Sequence, residues 1–540
     1  MDPPSVILPQ GHVVGTHLET TSPHPVEAFL GIPYALPPTG DRRFRPAEKV
    51  HLSKETIDAS KFGPIAPGKV FVVEGPAAEQ SEDCLTVNVF RPTGHELKEK
   101  LPVAVYIHGG AFNRGSARGH NTASMVAWSE LPFIGVSFGY RVGALGFLPS
   151  SLAKKEGILN LGLRDQVHLL EWVQENISHF GGNPANVTLF GLSAGGHSIG
   201  HHLLNYSEDV KPLFDRVILE SGSPTSRAVR PYDAKIHEQQ FQDFLKEVNF
   251  PSDLPESEIF PFLRSLPSST VTTAQTKIFD KYNPSLRWAF QPVIDGDIIS
   301  RAPLDAWKAG HWHKVPIVTG FCSNEGTMYV DKKMSKPEQF RLFWSELLPE
   351  LSSSDLDTID RLYPDPRINS DSPYVETREG YGLGPQFKRI EAAYAHYAYI
   401  APVRQSALFA SPEVRVYLYN WALPKTVVGR ANHGDNKNYE TMNKEIIQVS
   451  ESQKELAETL HSYICSFICT GDPNTLAGRY SERPKWGHYV ADNPHIMVFG
   501  QGNEELIGGH PAPAAKFVKD EWAIKETEFW WSKTEISELG

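Results

Sequence analysis

Residues 186–205 read NVTLFGLSAGGHSIGHHLLN, and this stretch decides the fold. It opens with a short run rich in β-branched and aromatic side chains, which is typical of a buried strand. Small residues follow at 191 and at 194–196, where they permit close approach of the backbone. The remainder can continue as a helix, so Ser193 is predicted to stand on a sharp turn between a strand and a helix.

The residues upstream predict the helix that precedes this strand. Apolar side chains fall at helical spacing from Leu163 to Ile177, and Gly181-Gly182 offers a stop. Helix, short loop, strand, turn and helix in this order predict an α/β fold.

The pattern Gly-x-Ser-x-Gly, which marks the nucleophile turn of many serine hydrolases, occurs twice in the chain. The other copy, GVSFG at 135–139, lies inside an apolar run, and no helical period follows it. A chain rich in Gly and Ser produces such a pentapeptide by chance, so the pattern needs its strand–turn–helix context. We therefore predict that Ser137 is a strand residue and that Ser193 is a nucleophile.

Composition and charge exclude several classes of function. The formal net charge is −12, whereas a phosphate-binding face needs an excess of Lys and Arg, so we expect no nucleic-acid partner. No run approaches the length of a membrane span, and we expect no membrane association. The chain opens without a secretory signal pattern, and its four cysteines are too scattered for a disulfide framework. We predict a soluble, cytoplasmic protein, and the sequence leaves its oligomeric state open.

A serine nucleophile needs donors for the developing oxyanion. An apolar strand pattern at 101–107 runs into HGGAF at 108–112, a loop of the kind that supplies backbone N–H groups in lipases and esterases. The N–H of Ala194, the residue after the nucleophile, is the remaining predicted donor.

The serine also needs a base and an acid that orients the base, and their best candidates follow it in the chain. A β-rich run at 315–322 ends in a polar turn that carries Glu325. Another strand pattern at 414–421 leads through a long loop to His433. The order Ser, then Glu, then His is the one that α/β-hydrolases use.

No metal and no cofactor are expected. Adjacent histidines at 201–202 are predicted to lie on the helix after Ser193, and those at 311 and 313 to flank a strand. Neither pair has a third ligand at a zinc-like spacing. The stretch GYGLG at 380–384 follows no strand pattern and predicts no nucleotide site.

Ordered blocks over nearly the full chain resemble the type-B carboxylesterase/lipase family, which also contains cholinesterases and the non-catalytic neuroligins. The blocks include FLGIPYALPPTGDRRFRP (29–46), SEDCLTVNVFRP (81–92), FGGNPANVTLFGLSAGG (180–196), FDRVILESGSP (214–224) and WALPKTVVGRANHGD (421–435). The resemblance implies a single α/β-hydrolase domain over 1–540, with a mostly parallel central sheet flanked by helices. Large helical insertions, roughly 225–420, are expected to form an active-site gorge.

The resemblance also implies a role for each matched residue. It implies a catalytic triad of Ser193, Glu325 and His433, oxyanion donors at Gly110, Ala111 and Ala194, and a supporting hydroxyl at Ser221. The residue before the nucleophile departs from the family, because Leu192 stands where most members have Glu. A site without that charge is expected to be more apolar and less suited to cationic substrates. Trp288 lies where the family shapes its acyl pocket, and it is read here as either pocket wall or core.

Three helices are predicted in the second half of the chain: 391–410, 453–471 and a closing amphipathic helix at 514–531. The predicted function is hydrolysis of uncharged, fairly apolar, small-molecule carboxylic esters through an acyl-enzyme. A dedicated biosynthetic ester, lactone or thioester hydrolase or transacylase would use the same residues and stays an alternative. A non-catalytic binding protein on the same fold is a further one.

Overall fold

Ser193 stands between a strand and a helix, as the sequence predicts. In the computed structural model of the protein, the strand Gly182–Leu192 runs into Ser193 and the helix Ala194–Leu204 begins at the next residue. The structure describes residues 2–18, 23–70, 78–94, 99–226, 229–480 and 482–539. Ser137 lies within the strand Ile134–Phe138 and pairs with Asn88 of a neighbouring strand, so its prediction as a strand residue is confirmed.

The described residues form two sheets. Their strands are β1 Ser5–Leu8, β2 Gly11–Val14, β3 Thr16–Leu18, β4 Val26–Pro33, β5 Thr56–Asp58, β6 Thr86–Pro92, β7 Leu101–Ile107, β8 Ile134–Phe138, β9 Gly182–Leu192, β10 Arg216–Glu220, β11 Ile317–Cys322, β12 Val416–Trp421, β13 His495–Phe499 and β14 Ala515–Lys519. A small sheet has the order β1-β2-β5. The large sheet has the order β14-β13-β12-β11-β10-β9-β7-β8-β6-β4-β3.

The centre of the large sheet is parallel and its two margins are antiparallel. All pairs from β8 through β7, β9, β10, β11 and β12 to β13 are parallel. The pairs β13·β14, β8·β6, β6·β4 and β4·β3 are antiparallel. The predicted mostly parallel central sheet is therefore confirmed.

Helices cover both faces of this sheet. They are α1 Thr122–Trp128, α2 Ser151–Lys155, α3 Leu161–Asn176, α4 Ala194–Leu204, α5 Lys235–Glu247, α6 Ile259–Ser265, α7 Ser268–Tyr282, α8 Pro303–Lys308, α9 Pro337–Leu347, α10 Ser353–Leu362, α11 Phe387–Ala395, α12 Ala401–Ala410, α13 Lys437–Glu440, α14 Lys444–Ile447, α15 Glu451–Thr470, α16 Ile524–Trp531 and α17 Thr534–Leu539. Alternate residues of β7 enter two different apolar clusters, Val103 and Val105 with α3 and α4, and Ala104 and Tyr106 with α1 and α15. This alternation is the expected result of a strand that is buried on both faces.

The long insertions lie where the sequence places them, and strand β11 divides them into two parts. Helices α5–α8 fall between β10 and β11, and α9–α12 fall between β11 and β12. The predicted helix over 391–410 is confirmed as α11 and α12 joined by a π-helical segment, His396–Ile400. The predicted helix over 453–471 is confirmed as α15. That residues 1–540 form one domain stays a prediction.

The predicted closing helix over 514–531 is wrong in its first half. Ala515–Lys519 is strand β14, which pairs antiparallel with β13 at the margin of the sheet. The helix begins only at Ile524, after Ala523 in the left-handed region at φ 53°. The backbone bonds offered by β13 override the helical spacing of the apolar residues, because an unpaired strand margin recruits a partner. Within the described ranges, no helix combines the length and hydropathy that crossing a bilayer requires.

Candidate active site

The predicted site residues follow the carboxyl ends of neighbouring parallel strands. Gly110 and Ala111 follow β7, Ser193 follows β9, Ser221 follows β10, Glu325 follows β11 and His433 follows β12. Carboxyl ends of parallel strands meet at one edge of a sheet, where open α/β proteins bind their ligands. The fold therefore brings these residues to the same edge.

The turn at Ser193 is sharp and tightly packed. Ser193 has φ 60° and ψ −123°, which is an unusual conformation for a residue with a side chain. A Cβ atom at Gly195 would lie 1.9 Å from the carbonyl oxygen of Ile107, and one at Gly191 would lie 2.6 Å from it. Only glycine lets the turn approach β7 this closely, which explains the two glycines of the pattern.

Glu325 and His433 form a direct contact. Nδ1 of His433 lies 2.5 Å from Oε2 of Glu325. The other oxygen, Oε1, accepts hydrogen bonds from the Ser221 hydroxyl at 2.5 Å and from the Cys322 backbone N–H at 2.6 Å. Because a carboxylate can only accept, the proton of the neutral imidazole lies on Nδ1.

The other nitrogen of His433 is left available. Nε2 is buried and has no hydrogen-bond partner within the described residues. The rings of Tyr399 and Tyr329 flank the imidazole, with centroids 4.7 Å and 5.5 Å from it. The imidazole of His433 is therefore held on one side and offers a lone pair on the other.

The loop after β7 packs directly against the turn of Ser193. A Cβ atom at Gly109 would lie 3.0 Å from Cβ of Ser193, and one at Gly110 would lie 2.1 Å from the carbonyl oxygen of Arg114. Ala111 has φ 56°, and its carbonyl accepts hydrogen bonds from Asn113 Nδ2 and from Gln291, both at 2.9 Å. These contacts fix the peptide orientations in the loop.

The predicted oxyanion donors find no hydrogen-bond acceptor among the residues that the structure describes. Across the described ranges, the backbone N–H groups of Gly110, Ala111 and Ala194 donate to no protein acceptor. Ala194 is the first residue of α4, and the first N–H groups of a helix lack intrahelical partners. The three N–H groups are available to a ligand oxygen.

The remaining predicted residues lie around this centre. Ser221, which adopts φ 45°, makes the hydrogen bond to Glu325 described above. Leu192 lies close to Gly434, the residue after His433. A Cβ atom added at Gly434 would lie 2.8 Å from Cδ2 of Leu192. Trp288 is 5 % exposed and lies 5.7 Å, between ring centroids, from Tyr329. It is both a core residue and part of a cavity wall.

That cavity adjoins the centre, and we call it the arginine cavity. Its walls include Phe112, Arg230, Arg287, Trp288, Tyr394 and Tyr397. No sequence motif singles out the two arginines of this wall. The only available signal was a charge next to Trp288 in the otherwise apolar stretch 286–290.

A pair of buried carboxylates was also missed. Glu220 ends β10 and Glu440 ends α13, and both are fully buried. Glu220 accepts hydrogen bonds from the Tyr419 hydroxyl at 3.0 Å and from Asn436 Nδ2 at 2.8 Å. Burial raises the pKa of both carboxyls, and the nearby Glu220 charge raises that of Glu440 further.

The histidines outside the centre lie as predicted. His201 and His202 are buried on α4, and His313 precedes β11, where its Nε2 donates to the Asn205 carbonyl at 2.9 Å. The described part of the chain contains no group of three His, Cys, Asp or Glu side chains placed to hold a metal ion.

Comparison with known proteins agrees with this geometry. The carboxylesterase family profile matches residues 2–517. Secreted lipase 4 of Gibberella zeae is 36% identical over 538 residues, which cover 97% of this chain and 92% of that protein. Lipase 1 of Geotrichum candidum is 32% identical over 460 residues, which cover 77% of this chain and 79% of the lipase.

The solved structure of EstA from Aspergillus niger superimposes with a TM-score of 0.81 at 26% identity, and the match covers 99% of both chains. The word "secreted" in the name of the Gibberella relative conflicts with the predicted cytoplasmic location, which stays a prediction. The matched profile, the extent of the sequence identity and the shared fold agree with one another. The chain therefore belongs to the carboxylesterase family of α/β-hydrolases, enzymes that hydrolyse ester bonds.

Proposed function

We propose that the chain hydrolyses carboxylic esters in two steps, through an acyl-enzyme formed on Ser193. One observation carries this proposal: His433 contacts Glu325 through Nδ1 at 2.5 Å, while Nε2 of the same ring is buried with no hydrogen-bond partner in the described part of the chain. A serine hydroxyl is a weak nucleophile until a neighbouring base takes its proton. The free nitrogen of His433 is that base.

In the first step, Oγ of Ser193 attacks the carbonyl carbon of the ester and His433 Nε2 takes the hydroxyl proton. The N–H groups of Gly110, Ala111 and Ala194 stabilise the negative charge on the carbonyl oxygen. The bond to the alcohol oxygen then breaks, and the alcohol leaves with the proton from His433.

In the second step, water attacks the acyl-enzyme and gives one proton to His433. The bond between Ser193 Oγ and the acyl carbon breaks, the serine recovers its proton, and the acid is released. Glu325 accepts the hydrogen bond from Nδ1 throughout, which orients the ring and stabilises the imidazolium. Ser221 holds Glu325 in place through its own hydrogen bond.

We propose a substrate with a substantial apolar part. Leu192 presents a hydrocarbon side chain beside the loop of His433, and aromatic rings form much of the wall of the arginine cavity. Apolar walls with a few polar groups are typical of sites for small organic molecules. Lengthening the carbon chain of a test ester should therefore raise kcat/KM until the cavity is filled.

The test is hydrolysis of p-nitrophenyl acetate, butyrate and octanoate by the wild-type protein and Ser193→Ala. We expect the substitution to lower kcat by roughly 10⁴-fold or more, because the nucleophile is removed. Ser137→Ala is the matched control, since it removes the serine of the other Gly-x-Ser-x-Gly stretch, and it should retain activity. Equal turnover by wild type and Ser193→Ala would contradict the proposal.

Inactivity of the folded wild type toward all three esters would instead favour a dedicated biosynthetic hydrolase or transacylase. Such an enzyme uses the same triad but rejects small generic substrates. Labelling of Ser193 by an organophosphate separates that outcome from a non-catalytic protein, which should not be labelled.

A further inference from the structure

Glu220, the last residue of β10, is connected to the nucleophile and to the acid of the proposed triad. Its backbone carbonyl accepts the N–H of Ser193 at 2.9 Å. The residue after it, Ser221, donates its hydroxyl to Glu325 at 2.5 Å. A displacement of Glu220 would therefore move the surroundings of both groups.

The side chain of Glu220 reaches the segment of the third group, the base. Asn436 follows His433 by three residues, and its Nδ2 donates to Glu220 Oε1 at 2.8 Å. The Tyr419 hydroxyl of β12 donates to the same oxygen at 3.0 Å and accepts from Asn436 Nδ2 at 3.4 Å. We call the side chains of Glu220, Tyr419 and Asn436 the Glu220 network. Each residue is at most 1% exposed, so bulk water does not compete for these hydrogen bonds.

The turn that carries His433 is held on both sides. Before the turn, the carbonyl of Ala431 accepts the N–H of Asn324, the residue that precedes the acid, at 2.9 Å. After the turn, the Asn436 side chain donates to Glu220. The first contact joins two backbones and does not depend on side-chain identity, whereas the second depends on two particular side chains. Substitution of either side chain can therefore release one side of the turn.

A carboxyl at position 220 is costly for the stability of the fold. Burial raises the pKa of both Glu220 and its neighbour Glu440, because the charged form of each is disfavoured away from water. An apolar side chain of similar size would avoid this cost. Sequences depart from the most stable choice mainly at positions that serve a site. The contacts of Glu220 indicate which site that is.

We propose that Glu220 is a positioning residue for the ester hydrolysis, and that it holds the turn of His433 through Asn436 so that Nε2 can accept the proton of Ser193. This inference rests on the proposed function and adds a residue to it. Reacting groups must be closely oriented, and a displacement of about 1 Å costs roughly 10²-fold in rate. Because Glu220 also accepts the Ser193 N–H, one residue sets the base relative to the nucleophile.

Rapid mixing with p-nitrophenyl butyrate tests this role, since the burst phase gives the acylation rate constant and the dissociation constant of the ester separately. Glu220→Leu removes the acceptor and should lower the acylation rate constant by about 10²-fold, while the dissociation constant changes by less than about threefold. Glu220→Gln keeps an oxygen that accepts from Asn436 and Tyr419, so its acylation rate constant should stay within about threefold of wild type. Equally slow acylation in the two variants would overturn the inference.

Variants of the partners test the network from the side of the base, also if Glu220→Leu does not fold. Asn436→Leu removes the donor and should slow acylation by about 10²-fold. Tyr419→Phe removes one hydroxyl, keeps the packing of the ring and should slow acylation by about tenfold. The double variant Glu220→Leu with Asn436→Leu should lose no more than the larger single loss, because both changes remove one contact. Losses that multiply would overturn the inference.

Glu458→Leu is the matched control. It removes a carboxyl that is 5% exposed, on α15, where the side chain lies 3.6 Å from Arg479 and outside the Glu220 network. Its acylation rate constant should equal that of wild type even if its melting temperature falls. An equal loss of acylation in Glu458→Leu and Glu220→Leu would show a general effect of removing a buried carboxyl and would overturn the inference.

Hydrogen exchange separates this inference from the proposed function, because it needs no turnover. Peptides that cover residues 431–440 should exchange faster in Glu220→Leu than in Glu220→Gln, since the turn loses one of its two attachments. Faster exchange there supports the role of Glu220 whatever residue is the nucleophile. Equal exchange in the two variants, or wild-type acylation by a folded Glu220→Leu protein, would overturn the inference even if Ser193 carries the acyl group.

Discussion

At Ser193 the backbone itself is unusual. Positive φ values at residues with side chains are uncommon, and four of them occur together here, at Ala111, Phe112, Ser193 and Ser221. Such conformations persist only where the surroundings enforce them, and they concentrate at functional sites. The glycines at 191 and 195 and the loop of Gly110 provide this enforcement through contacts that a Cβ atom would prevent.

Glu325 is expected to act through the orientation of His433. In Glu325→Gln, the amide nitrogen can donate to Nδ1 and thereby shift the imidazole proton to Nε2, where it blocks acceptance from Ser193. We expect kcat for p-nitrophenyl butyrate to fall by roughly 10³–10⁴-fold while the melting temperature changes little. Ser221→Ala removes only one hydrogen bond to the acid and should lose less activity than Glu325→Gln. A loss smaller than tenfold in Glu325→Gln would contradict this role.

Asp435, two residues after the base, gives the site a pH-dependent stability. Burial raises the pKa of its carboxyl to about 6, and its side chain is 14% exposed. As pH rises from about 4 to about 6, the Asp435 carboxyl ionises in the unfolded chain before it ionises in the folded protein. The free energy of unfolding therefore falls by up to about 3 kcal/mol over this range because of this group. The variant Asp435→Asn has no carboxyl to ionise at this position, so its free energy of unfolding does not fall in this way. Urea unfolding should therefore show the variant gaining stability relative to wild type between pH 4 and pH 7. A difference in free energy of unfolding between the two proteins that stays constant with pH would contradict this prediction.

At the scale of elements, the junction of β9 and α4 tolerates no added atom. Gly195→Ala places a Cβ atom 1.9 Å from the Ile107 carbonyl oxygen, so the turn must move away from β7. We expect activity to be lost and unfolding to be easier by several kcal/mol, roughly the upper range for single substitutions. The measurements are ester hydrolysis and urea unfolding.

Gly119→Ala is the matched control for this element. A Cβ atom at Gly119 meets nothing within 4 Å. Its stability should change by about 0.5 kcal/mol or less, as for other surface substitutions. Wild-type behaviour of Gly195→Ala would show that the junction is not rigid.

The sequence predicts this junction well because every signal agrees there. A β-branched run, small residues and a helical pattern follow one another over 186–205, and the structure has them in that order. The segment 514–531 has helical spacing throughout, yet pairing with β13 makes its first part a strand. Local periodicity cannot contain that information, since the partner strand lies elsewhere in the fold. Arg230 and Arg287 could not be predicted as part of one cavity wall for the same reason. They are distant in sequence, and the fold of the insertions brings them to the same wall.

At the scale of the whole molecule, buried ion pairs join distant segments. Arg141 forms a bidentate pair with Asp165 of α3, at 2.8 Å and 2.6 Å, and also donates to the Arg45 carbonyl at 2.7 Å. Arg43 forms another bidentate pair with Glu82, at 2.7 Å and 2.6 Å. The first pair joins the segment after β8 to α3 and, through the Arg45 carbonyl, to the N-terminal region, and the second joins two segments of that region.

Breaking the first of these pairs should weaken the whole fold. Asp165→Asn keeps the shape of the side chain but leaves the guanidinium of Arg141 buried without its counter-charge. We expect a loss of about 3–5 kcal/mol in the free energy of unfolding, measured by urea denaturation. Lys155→Ala, which breaks the exposed pair of Lys155 with Glu256, is the control and should cost about 1 kcal/mol or less. Equal losses in the two variants would contradict the importance of burial.

The central claim is that Ser193 carries the acyl group during turnover, and one measurement tests it most directly. Rapid mixing with p-nitrophenyl butyrate, quenching in acid and mass spectrometry of the peptides would locate the butyryl group. We predict a burst of p-nitrophenol and a single butyryl adduct on the peptide that contains Ser193, absent from Ser193→Ala. An adduct on another residue, or undiminished turnover by Ser193→Ala, would contradict the proposed mechanism.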